Sequence, residues 1–188
     1  MKLPIYLYGH PVLRKKAEPI ERDYPELKKF VADMFETMDN SEGVGLAAPQ
    51  VGRADAIVVV DGNPVAEHYP ECEGHRFAII NPELEVLEGE EISRPEGCLS
   101  LPGVNEDVKR VENIRLRWFD EDFNEHEAEF TGFMARIIQH ELDHLEGEVF
   151  TDHISGIRKQ LIRGKLNNIV NGKTGADYPV RHAPRRKK

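Results

Sequence analysis

Cysteine is nearly missing from this chain. Only Cys72 and Cys98 occur in 188 residues, too few for a disulfide framework, so each thiol is judged by its chemical neighbours. Long apolar runs are missing too: the longest aliphatic stretch, Ala56 to Val60, falls far short of the roughly 20 residues that cross a bilayer as a helix. The opening MKLPIYLYGHPVLRKK lacks a signal-peptide core, because Pro4 and two tyrosines interrupt it and no small-residue cleavage site follows. No internal repeat is found. These absences exclude a membrane span and a disulfide scaffold, and they predict a soluble, cytoplasmic protein. With 39% apolar residues, a chain of this length can bury one core of its own.

Positive charge is in short supply over most of the chain. Thirty-four acids against 25 bases leave −9 overall, which argues against a general nucleic-acid binder. The shortage is uneven. From Gly156 to Lys188 ten bases face the single acid Asp177, so this end carries +9 and residues 1–155 carry −18. Such a tail suits either a polyanionic partner or a solvated terminus.

In PELKKFVADMFETMD, Leu27, Phe30, Val31, Met34, Phe35 and Met38 recur at helical spacing and predict an amphipathic helix over 25–39. GVGLAAPQVG is rich in Gly and small side chains and reads as a loop entering the β-run AIVVV. Residues 61–76 mix Gly, Pro, Asn and acids around Cys72 and read as a surface insertion between strands. From Phe77 short β-prone runs alternate with turns, and in IRLRWFD the apolar Ile114, Leu116 and Trp118 alternate with Arg115 and Arg117, as on a half-buried strand. The period becomes helical after Gly132, stops at Gly147, and resumes over about 155–170. Helices packed on antiparallel sheets make an α+β domain. The boundaries expected are a catalytic domain over 1–171 and a basic, disordered tail over 172–188.

The second of these helices carries His140-Glu141-Leu142-Asp143-His144. Histidines four apart project from one helix face and can share a metal ion, and the intervening glutamate can move a proton to and from water. A third ligand is required. Position 150 is Phe, where one HExxH layout places a third His, and no Glu occurs after Glu148 to serve the layout that places a Glu downstream. Upstream, Cys98 in EGCLS would complete a Cys plus two His site with an open position; Asp152 and His153, close to the helix end, are the alternatives. Seven, four and three residues before His140, on roughly the same face, stand Phe133, Arg136 and Ile137. Phe133 and Ile137 suit a thioether side chain. Arg136 either packs its stem on such a pocket with its charge reaching solvent or substrate, or is a plain surface residue. The remaining histidines do not converge and read as surface or capping residues, Cys72 reads as a bystander thiol, and Asp143 either orients a neighbour or faces solvent.

GVGLAAPQ (43–50), EGCLS (96–100) and QHELDH (139–144), in this order, with an opening GHPVLR, resemble the peptide deformylase family from about residue 3 to 170. The resemblance implies antiparallel sheets around a central helix bearing both histidines, and removal of the N-formyl group from the initiator methionine of new polypeptides. It implies that Cys98, His140 and His144 are the ligands of one divalent metal, usually Fe2+ with Zn2+ or Ni2+ able to substitute. Glu141 is then the proton carrier, the Gln50 side-chain amide and the Leu99 backbone N–H are the oxyanion donors, and Val44 and Gly45 pair with the substrate main chain. The sequence departs from many bacterial members at Asn105, where they carry an Arg, which bears on how outer substrate residues are held. In bacterial members the C-terminal helix is associated with ribosome docking, and Arg158, Lys159, Arg163 and Lys165 followed by RHAPRRKK would suit rRNA phosphates.

Overall fold

The aliphatic run Ala56 to Val60 decides the architecture, because the strand it forms, Ile57–Asp61, is buried at all five residues and both faces therefore need covering. The computed structural model describes residues 1–184. In it, strands β1 (Ile5–Tyr6), β2 (Gly45–Ala47), β3 (Ile57–Asp61), β4 (Arg76–Val86), β5 (Glu91–Gly97), β6 (Asn105–Val111), β7 (Asn113–Phe119), β8 (Glu125–Thr131) and β9 (Val180–Arg181) combine with helices α1 (Leu27–Asn40), α2 (Gly132–Leu145) and α3 (Gly156–Val170). Five strands form an antiparallel sheet in the order β2-β3-β4-β7-β8, β5 and β6 form a separate hairpin, and β1 pairs in parallel with β9.

The two faces of β3 point into different cores. Val58 and Val60 join Ile79, Ile114 and Leu116 against Met134, Ile138 and Leu142 of α2. Ile57 and Val59 join Ile80 against Phe30, Met34 and Met38 of α1. Helix α2 therefore lies between the large sheet and the hairpin, the central position expected for it. Strand β7 shows the predicted alternation: Ile114, Leu116 and Trp118 are buried, while Arg115 and Arg117 pair across the wet face with Glu129 and Glu127. None of the helices in the described residues is long and apolar enough to cross a membrane.

Three expectations need correction. GVGLAAPQVG is only partly a loop: Gly45, Leu46 and Ala47 pair with Val60, Val59 and Val58 as the edge strand of the large sheet, and Ala48–Val51 make one 3-10 turn. Small side chains have weak strand preference, and the ladder to β3 overrides it. Residues 61–76 are no mere surface insertion. Cys72 is fully buried, and the Glu71 carboxylate accepts from Phe133 N at the start of α2 over 2.8 Å, supplying a cap that Thr131 does not. The expected disordered tail is ordered through residue 184: beyond Gly172 the chain returns along β1, where apolar Tyr178 and Val180 pack on the core. Arg185, Arg186, Lys187 and Lys188 lie outside the described residues.

Candidate metal centre and active site

Helix periodicity puts His140 and His144 on one face of α2, and the turn after β5 brings Cys98 against them. The Cys98 Sγ lies 3.4 Å from His144 Nε2, and one ligand atom from each of Cys98, His140 and His144 falls within 4.8 Å of the others. A thiolate with two imidazoles is a donor set for a divalent transition ion, with room for a further ligand. Both rings are prepared for it. His140 Nδ1 is held by Glu96 Oε1 over 2.9 Å, so its Nε2 is the nitrogen left for a ligand role. His144 is deeply buried and its Nδ1 has no hydrogen-bond partner among the described residues. Burial pushes His144 down to about 3, which keeps it neutral, the form in which imidazole binds metal. At His140 burial also favours the neutral ring, but hydrogen bonds to Cys98 and Glu96 outweigh it and raise the pKa above its ordinary value; metal binding releases such a proton. The residues present therefore fit a metal. The alternatives are placed elsewhere: Asp152 pairs with Arg14, and His153 with Asp143.

Glu141 follows the first histidine and is buried, with its Oε2 unpartnered among the described residues. Burial, unrelieved by any hydrogen bond, pushes its carboxyl up to about 7, suited to a group that takes and returns a proton near neutrality. The backbone of Gly45 crosses directly above it. A side chain at Gly45 would collide with Glu141, the Cβ position lying 2.6 Å from its carboxylate carbon. Val44 O accepts from Asp61 N over 2.8 Å, and ladder bonds in an antiparallel pair alternate. The N–H and C=O of Gly45 consequently point outward from the sheet edge, into the cleft.

Gln50 is fixed at both ends. Its Oε1 accepts from Ala47 N over 2.9 Å, which turns Nε2 toward Cys98 Sγ at 3.4 Å and Ser100 Oγ at 3.2 Å. The Leu99 N–H has no acceptor among the described residues. Both donors open on one cleft of about 810 Å³, whose wall also includes Val44, Gly45, Phe133, Ile137, His140 and Glu141. His144 lies beneath its floor. Phe133 is stacked on Tyr69 at 4.1 Å between ring centroids, which backs its face of the cleft. Asn105 opens β6 opposite Gly97 and also lines the cleft.

Arg136 lines the cleft but is no surface residue. It is 1% exposed and its guanidinium is fully engaged, by Glu112 and Glu96 at 2.7 Å each and by the carbonyls of Val108 and Ile92. That charge is satisfied within the protein and turned away from bulk solvent. With Arg110, which grips Glu96 and Asp143, it forms a buried ion network beneath the metal ligands. Glu96 is the centre of this network and went unassigned from sequence; its place two residues before Cys98 was the available signal. Burial opposes its ionisation, but His140 and Arg110 overcome this and hold the carboxyl well below the usual carboxylate range. Asp143 is a partner of Arg110 and His153. His10 accepts from Val12 N as a cap, and burial pushes the Cys72 thiol up to about 11, leaving it inert.

A buried carboxyl group set among a thiol and two imidazoles, below the open edge of a strand, is equipment for metal-assisted hydrolysis of a peptide-like substrate. Residues 2–160 match the family model described as polypeptide deformylase. A peptide deformylase of Flavobacterium psychrophilum is 46% identical over 194 residues, covering 100% of each chain, and one of Cytophaga hutchinsonii is 48% identical, covering 96% of this chain and 97% of the relative. Among solved structures, peptide deformylase from Ehrlichia chaffeensis in complex with actinonin superposes with a TM-score of 0.82 at 32% identity, over 93% of this chain and 99% of that one. The Thermus thermophilus enzyme gives 0.77 at 37%, over 88% and 96%. The chain belongs to the peptide deformylase family, hydrolases that remove the N-formyl group from nascent polypeptides and release formate.

Proposed function

We propose that Cys98, His140 and His144 hold one Fe2+ ion, with Zn2+ or Ni2+ able to take its place, and that the chain deformylates the initiator methionine of new polypeptides in the cytoplasm. The convergence of the three donor atoms within 4.8 Å, beside a carboxylate raised to about 7, carries this reading. Bound there, a divalent ion polarises the formyl carbonyl and makes water acidic enough to attack near neutral pH.

The chain's own groups do the rest. Glu141 takes the proton of the attacking water and delivers it to the departing amine. Gln50 Nε2 and the Leu99 N–H donate to the oxygen on which negative charge develops; Gln50 exchanges one of its bonds to Cys98 Sγ and Ser100 Oγ for this one, whereas the Leu99 N–H has no acceptor to give up among the described residues. The outward N–H and C=O of Gly45, with Val44 before it, pair with the substrate main chain as an added strand would. Main-chain pairing reads no side chains, so selection for methionine falls to Phe133 and Ile137. Arg136 also lines the cleft; its charge holds Glu96, which in turn holds His140.

Ribosome contact is proposed through α3. Arg158 is engaged by Glu106 over 2.7 Å and Lys159 by the Asp152 carbonyl, which leaves Arg163 and Lys165, on the exposed part of the helix, as its candidates for rRNA phosphate. Salt-sensitive binding lost on reversing both charges would support the contact.

The test of the enzyme reading is formate release from a formyl-methionyl peptide by protein purified without oxygen, with metal analysis of the same sample. Wild type should release formate and contain iron; Cys98→Ala should lose both. Activity and iron unaffected by aerobic handling would overturn the Fe2+ assignment, since iron held by a thiolate is open to oxidation. Cleavage of unformylated peptides without formate release would overturn the reaction.

A further inference from the structure

The segment beyond α3 reaches back to the reaction centre. After turning at Gly172 the chain runs beside β1, where Ile5 N donates to Pro179 O over 2.8 Å and Leu7 N to Arg181 O over 2.9 Å. Between turn and strand, Gly175, Ala176, Asp177 and Tyr178 contribute to the wall of the cleft. The Tyr178 hydroxyl donates to Leu99 O over 2.7 Å. Next along, Ser100 O accepts from Tyr8 N over 2.8 Å. The two carbonyls that follow the Leu99 N–H are thus both tied to outside partners, while the N–H itself faces the cleft. The matched family residues stop at 160, so this part is not assigned by the match.

We propose that Gly175–Tyr178 is a substrate-facing wall of the cleft and that Tyr178 is a positioning residue for the Leu99 oxyanion donor. The proposal rests on the deformylase reading of the site. A backbone N–H stabilises a developing oxyanion only if it is aimed in advance. The turn from Cys98 to Ser100 lies between the strands of a hairpin that belongs to no larger sheet, so ladder bonds to the main sheet do not fix it. Leu101 N donates to Cys98 O over 2.9 Å and Tyr8 N to Ser100 O, and the Tyr178 hydroxyl adds the tie on Leu99 itself. Burial pushes that phenol up to about 12, so it remains protonated and donating at any pH where the enzyme would work. As for the wall, a cleft of about 810 Å³ is in the range of multi-residue ligands. Phe133 and Ile137 account for the methionine side chain, and the residues that follow it need a surface too.

The experiment compares wild type, Tyr178→Phe and Ala176→Trp, with metal content and melting temperature measured for each. Substrates are a short formyl-methionyl amide and a formyl-methionyl tripeptide. Loss of the hydroxyl should lower kcat per bound metal about tenfold, less than removal of a donor outright, with KM nearly unchanged. Ala176→Trp, and more weakly Ala176→Leu, should raise KM for the tripeptide about tenfold more than for the amide. If Tyr178→Phe only melts earlier or binds less metal, with kcat per metal intact, the positioning role is wrong. If the Ala176 variants treat both substrates alike, the wall is wrong. A wild type that releases no formate would instead remove the deformylase reading, and this inference with it.

Discussion

Gly45 and Glu141 are in contact across the active site: the backbone of one passes over the carboxylate of the other, so closely that no β-carbon fits between them. The sheet edge that is to hold substrate and the group that is to move the proton are therefore set by a single packing contact. Gly45→Ala should push strand β2 or Glu141 out of place. Activity is expected to fall about 10²-fold, the scale of a 1 Å misplacement, while metal content stays near wild type. A variant with normal kcat/KM would show that the contact does not matter.

Gln50 is predicted to act on the transition state alone. Gln50→Ala should lower kcat by about 10² to 10³ with a small change in KM. Ser100→Ala, which removes one hydrogen-bond partner of its amide and leaves Ala47 N in place, should cost less. Steady-state kinetics on a formyl-methionyl peptide would decide between this and a binding role, in which KM would rise at constant kcat.

Arg136 should matter for stability before it matters for chemistry. Arg136→Leu leaves Glu96 and Glu112 buried without their shared cation, and loss of one partner of a buried ion pair costs about 3–5 kcal/mol. Urea unfolding of variant and wild type would measure this. A change below about 1 kcal/mol would mean that Arg94 and Arg110, the other bases in the network, compensate fully.

Far from the metal site, Asp120 makes stability depend on acid. Burial would raise its pKa, but bonds from His126, Asn124 and Asp122 outweigh this and hold the carboxyl below its ordinary value of 3.8. A depressed folded pKa contributes stability that is complete above the unfolded value and is lost as pH falls through the folded one. The difference in unfolding free energy between wild type and Asp120→Asn should thus shrink from about pH 5 to pH 2. A constant difference over that range would show that the turn is held by geometry and not by charge.

Residues that act through local spacing were legible in the sequence. His140 and His144 had to share a face because a helix repeats every 3.6 residues, and IRLRWFD had to be half-buried because strands alternate. What was illegible depends on partners distant in the chain. Helical spacing placed Arg136 toward the site, yet nothing local says that Glu112 and Glu96 wait across from it. Likewise Glu71 caps a helix that begins only at Gly132, far along the sequence, and GLA becomes a strand only because β3 offers it a ladder. The tail was misjudged because bases dominate its composition, whereas its course is decided by one tyrosine and one valine that pack.

The hairpin of β5 and β6 brings a final consequence. Its apolar contacts, Val104 and Val108 among them, and its charges both resist a slide of the strands. Side chains alternate across β6, with Glu106, Val108 and Arg110 facing inward. A shift by one residue would turn Arg110 outward and strand Glu96 and Asp143 without it. Arg110, Arg136 and Glu96 thus act as a registration mark that admits a single strand alignment, the one in which Cys98 meets the histidines.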